Sequence, residues 1–230
     1  MNGREPEEIL NRAAGAPHEV DPTLLARISD SLVSGLRPVR PRPPIWILAS
    51  ALFAITAAVA MAGGVALGLK GIAKLDALEV TSIFGVLGVF TWTSALHCVT
   101  EMTPGSRHRL SSGAVLAAGS LVLAGLFALL FHDYRTTRFV HQGLVCLTLG
   151  LAHGLAAGLA GWLVLRRGFA VNPTAAGVAA GTLASLAGVG MLELHCPNLE
   201  ALHVLVWHTA VVPVSAFAGV VLARFAMRNR

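Results

Sequence analysis

Six apolar runs, at about 45–69, 78–97, 111–131, 140–165, 173–191 and 202–223, constrain this chain more than any other feature. Each is close to the ~20 residues that an α-helix needs to cross a ~30 Å hydrocarbon core. Short polar loops separate them, which makes neighbours in sequence antiparallel. Only 13% of the residues are charged, against roughly a quarter in soluble domains. The expected fold is all-α: an integral membrane bundle of six transmembrane helices over 44–230, preceded by a polar tail over 1–43. No basic segment leading into an apolar stretch opens the tail, so the first apolar run is expected to act as a signal anchor.

Lys and Arg set the orientation. With the N-terminus inside the cell, the inner loops hold Arg37, Arg40, Arg42, Arg107, Arg109, Arg166, Arg167, Arg224, Arg228 and Arg230. The outer loops hold Lys70, Lys74, Arg135 and Arg138. This asymmetry places both termini in the cytoplasm, in a lipid bilayer read as the bacterial inner membrane. The net charge of +5 is scattered between apolar runs rather than gathered on one face, which argues against direct nucleic-acid binding.

The tail has one structured stretch. Asp21-Pro22 reads as an N-cap followed by Pro at the first helical position. Leu25, Ile28 and Leu32 then recur on one face with Leu24 beside them, while Arg27, Ser29, Asp30 and Ser34 take the other. The result is a short amphipathic helix ending near Gly35, followed by a proline-rich linker from Arg37 to Pro44. Its polar face is not lined by Lys and Arg as on a membrane-surface helix. Docking into a groove on a cytoplasmic partner and packing on the inner loops are the two readings of its apolar stripe.

Chemistry-bearing residues concentrate in Glu193-Leu194-His195-Cys196-Pro197, with Glu200, His203 and His208 following. The orientation puts Cys196 in the outer loop between spans five and six and Cys146 in the outer part of span four. Cys146 is roughly 10 Å along the helix from Phe139 at ~1.5 Å per residue, and Cys98 lies at the opposite, inner end of span two. Cys146 and Cys196 are therefore within reach of one another. They form either an outward pair, open to a disulfide or a soft metal, or two separate core thiols. No cofactor is expected, apart from a candidate metal ion at the outer face, held by His195, Cys196, His203 and Cys146. No His-x-x-x-His spacing exists, so such a site needs three helices; Glu200 and His203 at i, i+3 can instead pair across one turn.

Small residues recur as Gly150-xxx-Gly154-xxx-Gly158 and Gly177-xxx-Gly181, rows that let helices approach closely within the bundle or across a dimer. Catalytic motifs of the Gly-x-Ser-x-Gly or His-Glu-x-x-His kind are absent, and no enzymatic activity is expected.

Five features together carry a resemblance: Leu36-Arg37-Pro38-Val39-Arg40 ahead of span one, Pro104-Gly105 in the second loop, Cys146, Leu194-His195-Cys196-Pro197, and Trp207 ten residues further on. With them the chain, from about residue 22, resembles the NrsF family of six-span membrane anti-sigma factors, the negative regulators of sigma factor F. The resemblance implies a cytoplasmic N-terminal segment that sequesters an extracytoplasmic-function sigma factor. It also implies that two outward cysteines, matching Cys146 and Cys196, relay an external stress signal. The chain departs from the family pattern at His208, where an aromatic residue is expected, and in carrying Cys98. The rival readings are a haem-binding electron-transfer subunit using His153, His141 or His208, and a small transporter, for which the spans hold few carboxylates.

Overall fold

A computed structural model describes residues 21–34, 43–106, 110–136, 138–165 and 170–228. All regular structure among these residues is helical. The start of the tail, the proline-rich segment over 35–42, and Arg107, Arg109, Arg166, Arg167 and Arg230, which entered the orientation argument, lie outside them. The chain divides into two units, 1–42 and 43–230.

The first unit contributes α1, Pro22–Ser34. It starts where the sequence signals a start. The Asp21 carboxylate accepts from the Thr23 backbone N–H at 2.9 Å and from the Thr23 hydroxyl at 2.8 Å. These bonds satisfy a donor that the first turn leaves open and hold the Asp21 carboxyl below its ordinary pKa. Leu24, Leu25, Ile28, Leu32 and Val33 are all exposed.

The second unit holds six helices long and apolar enough to cross a membrane: α2 Ile45–Leu67, α3 Ala77–Glu101, α4 Ser112–Leu130, α5 Phe139–Leu165, α6 Pro173–His195, and α7 from Ala201 to Arg228. Helix α7 has three parts: Ala201–His203, a π-helical turn Val204–His208, and Thr209–Arg228. In hydrocarbon a backbone must satisfy its own polar groups, which leaves apolar segments of this length no alternative to the helix. Polar side chains mark several starts. Asp76 and Glu79 form a reciprocal capping box on α3, Ser111 caps α4, and Asn172 caps α6 ahead of Pro173.

Helix α6 is the axis of the bundle. Its most apolar window is 78% buried, against 44% or less for the other five. It can occupy that place because it is built of small residues. A Cβ on Gly177 would lie 2.6 Å from the Gly219 carbonyl of α7, and one on Gly181 would collide with the carbonyl of Ser215 and meet the Cα of Ala216 at 2.7 Å. On another face, Gly188 abuts the backbone of Gly150 on α5, while Gly154 and Gly158 lie against Ala184. Both small-residue rows are thus filled by contacts inside the bundle.

Two helices outrun their apolar stretches. Helix α3 continues to Glu101 because its polar end is paired: Ser112 Oγ donates to Glu101 Oε1 at 2.7 Å, and His97 Nε2 lies 3.1 Å from Ser112 Oγ and 3.3 Å from Glu101 Oε1. Helix α6 continues to His195 because Glu193 is buried against a partner on α7. The core has two clusters. One runs through Ile83, Phe127, Cys146, Met191, Cys196 and Val204; the other, toward the opposite ends of α3 and α5, holds Leu52, Cys98, Val99 and Leu165.

The glycine contacts give a direct test. Gly181→Ala drives a methyl into α7 backbone, an overpacking cost of about 1–3 kcal/mol, read as a lower unfolding midpoint in detergent. Gly85→Ala on α3 meets nothing within 4 Å and is expected to be neutral or stabilising by up to ~1 kcal/mol through helix propensity.

Candidate functional site

The site is built where α6 ends. The residue before a proline is biased away from helical geometry, and Cys196, preceding Pro197, is extended at φ −70°, ψ 114°. Its backbone N–H still closes the last turn onto Leu192 O at 2.7 Å. Two neighbouring loops and the first turn of α5 hold this end. The Gly71 N–H donates to Leu194 O at 3.0 Å, and Lys74 Nζ donates to Pro197 O at 2.7 Å. Asn198 Nδ2 donates to Gln142 Oε1 at 2.9 Å, and the Ala201 N–H to Asp133 O at 2.7 Å. A side chain at Gly71 would meet Glu193 O at 2.6 Å and Cys196 O at 2.8 Å, so only glycine fits that approach.

Three helices deliver four ligand-type side chains beneath this cap. Cys146 belongs to the buried stripe of α5 that includes Gly143, Gly150 and Gly154. Its Sγ is 3.5 Å from Cys196 Sγ. Cys196 Sγ is also 3.5 Å from His203 Nε2. The rings of His203 and His208 meet edge to face at 5.3 Å. One donor atom from each of Cys146, Cys196, His203 and His208 lies within 4.8 Å of all the others, and all four residues are buried. Behind them, His208 Nδ1 donates to Glu193 Oε1 at 2.6 Å, with both side chains 1% exposed. His203 Nδ1, His208 Nε2 and Glu193 Oε2 are buried without a hydrogen-bond partner.

The π-helical turn explains the meeting of His203 and His208. Five residues of ordinary α-helix turn through about 500°, leaving positions i and i+5 about 140° apart. A π turn bonds i to i+5 and inserts one extra residue per turn, a device found often at functional sites. Val204–His208 is such a turn, and it brings both imidazoles to one side. Trp207, inside the turn, lies over Gly143, where a Cβ would collide with the indole.

Of the residues expected at an outer metal site, Cys146, Cys196 and His203 come together. His195 does not join them; its Nδ1 donates to Gly68 O at 3.0 Å. His208 stands in the group instead, with Glu193 behind it. Pairing between Glu200 and His203 is not formed, since His203 faces Cys196 and Glu200 Oε2 has no partner. Cys98 is buried in the other core cluster. The imidazoles considered for haem have separate surroundings: His141 is exposed, and His153 Nδ1 donates to Leu149 O at 2.9 Å with its ring against Gly63. Leu24, Leu25, Ile28 and Leu32 form the exposed apolar stripe of α1.

Chemically, the arrangement offers two thiols in contact, two imidazoles beside them, and a carboxylate bound to one imidazole. The hydrogen bond with Cys146 and burial push the Cys196 thiol above its ordinary pKa, with His203 and His208 pulling the other way.

A family model described as NrsF, negative regulator of sigma F, matches residues 32–228. The match takes in all six long apolar helices and the whole thiol–imidazole cluster, and it begins after Leu24, Leu25 and Ile28. No curated protein and no solved structure matches the chain.

Since Cys146 is the largest cause of the raised Cys196 pKa, Cys146→Ala in a Cys98→Ala background is expected to lower the pH midpoint of Cys196 alkylation. The pH profile of maleimide labelling measures it. An unchanged midpoint would show that the two thiols are not coupled.

Proposed function

Because the chain belongs to the NrsF family of negative regulators of sigma F, we propose that it holds an extracytoplasmic-function sigma factor on α1 and releases it when an external signal reaches Cys146 and Cys196. In this reading residues 1–43 are a cytoplasmic tail with a partner-binding helix and linker, and 44–230 are a membrane domain in the bacterial inner membrane with both termini inside. The Lys and Arg distribution supports that orientation. The observation that carries partner binding is the stripe of Leu24, Leu25, Ile28 and Leu32, exposed on a capped helix. Such a stripe suits the groove of a folded partner.

The signal enters as thiol chemistry. Oxidation of Cys146 and Cys196 to a disulfide by an external two-electron oxidant, with both thiol protons released, or capture of a metal ion by their thiolates, changes the connection between α5 and the end of α6. Helix α6 touches every other membrane-spanning helix, so a change at its end bears on the whole bundle. A signal shifts the equilibrium between holding and releasing only by its difference in affinity for the two states. The chain's action in this scheme is regulatory, in keeping with its family.

The test is co-purification with the sigma factor from membranes. Burying a large apolar side chain is worth about 1.5–3 kcal/mol, so Leu25→Asp, Ile28→Asp and Leu32→Asp together are expected to reduce retention at least tenfold at equal membrane levels. Retention equal to wild type would remove α1 from the interface.

A further inference from the structure

The geometry points to a mononuclear metal site in which Cys146, Cys196, His203 and His208 take a divalent ion of the Zn2+ type, with Glu193 as the residue that positions His208. This rests on reading the cluster as the place where the signal is received, and it specifies the ligand.

Distances are the first argument. Tetrahedral Zn2+ with Zn–S near 2.3 Å and Zn–N near 2.0–2.1 Å sets its donors about 3.8 Å apart for two sulfurs and about 3.5 Å for sulfur and nitrogen. Cys146 Sγ and Cys196 Sγ are 3.5 Å apart, and Cys196 Sγ and His203 Nε2 also 3.5 Å. The full set of donors spans no more than 4.8 Å, so a small closure completes the polyhedron. Two sulfurs and two nitrogens in tetrahedral array suit Zn2+ among common metals.

The pattern of satisfied and orphaned atoms points the same way. Glu193 Oε1 accepts the hydrogen bond from His208 Nδ1–H, which leaves Nε2 as the ring nitrogen open to a metal, and Nε2 is buried with no hydrogen-bond partner. Metal-bound imidazoles commonly have their other nitrogen held by a carboxylate in this way, which fixes both tautomer and ring direction. A disulfide would use the two sulfurs and leave His208 Nε2 as it is. A two-coordinate thiolate site for a monovalent ion would do the same. Of these three alternatives, only the ion with four donors employs both imidazoles.

Charge agrees with the assignment. Two thiolates neutralise a divalent cation, so the filled first shell carries no net charge into a buried place, where unbalanced charge is costly. Each thiol loses its proton to solvent as the ion enters, and no electron is transferred.

The test uses the reduced full-length chain in detergent, free of any histidine tag, titrated with Co2+ as a spectroscopic probe and then with Zn2+. Wild type is expected to bind one Co2+ with the visible bands of a tetrahedral ion and a near-ultraviolet thiolate-to-cobalt band, both lost as Zn2+ displaces it. Cys146→Ser should weaken the thiolate band, and His208→Gln should shift the visible bands. Glu193→Gln should lower Zn2+ affinity by about 10–100-fold, the usual effect of removing a carboxylate behind a ligating histidine, and Glu193→Asp should restore part of it. A purely structural Glu193 would change the unfolding midpoint but not the Zn2+ affinity, and that result overturns its positioning role. Absence of a tetrahedral cobalt spectrum, or binding confined to a monovalent ion and unaffected at His203 and His208, overturns the site. Metal binding is read without a sigma factor, so the two readings fail separately. Zn2+ bound as described with no effect on sigma-factor retention would leave the site standing and remove its regulatory role.

Discussion

Backbone-to-backbone contact between α6 and the helices on either side of it fixes the positions of everything else in the membrane unit. In lipid, helices gain little from hiding apolar surface from one another, and their association depends on close packing and on hydrogen bonds. Gly177 and Gly181 settle onto the carbonyls of Gly219 and Ser215 in α7, and Gly188 onto Gly150 in α5. These are contacts between rigid parts, with no long side chain to absorb a slip. They lock the relative register of three helices, and through it the depth at which Cys146, Cys196, His203 and His208 lie. A cluster assembled from three helices needs such a frame.

The polar groups of the bundle sit where that frame can accommodate them. Buried polar atoms are costly unless paired, and two of the places where they occur are helix ends. His97, Glu101 and Ser112 satisfy one another at one end of α3 and the start of α4. At the opposite end, Glu193 and His208 pair directly. In the first group no buried side-chain nitrogen or oxygen lacks a partner. The second is open on the side of the thiols, with unpaired nitrogen and oxygen left over. That difference separates a structural polar knot from a site with capacity to bind.

Much of the architecture was legible from the local pattern of the sequence. The number of spans, their approximate limits and the start of α1 at Asp21-Pro22 all follow from local physics: the length of helix that lipid requires, and the donors that a first turn leaves open. Counting residues along antiparallel helices showed that Cys146 and Cys196 could meet, and the tertiary structure decided that they do, at 3.5 Å. The ends of α3 and α6 did not, because Glu101 and Glu193 extend their helices by pairing with residues on other elements, and hydropathy sees only the charge. His195 was a reasonable candidate by its place beside Cys196. Its ring turns instead to the Gly68 carbonyl, a contact 127 positions away in sequence.

The sequence by itself determined that this chain is a six-helix membrane bundle with a separate amphipathic helix ahead of it, since both conclusions rest on short-range periodicity and apolar length. Only the tertiary structure decided which imidazoles face the thiols. A side chain's direction depends on the helical turn that carries it, and the π turn at Val204–His208, with Trp207 lying over Gly143, reverses what α-helical spacing would give. It likewise decided that the glycine rows serve contacts within the bundle, because a row of small residues specifies how near a neighbour can come, not which neighbour arrives.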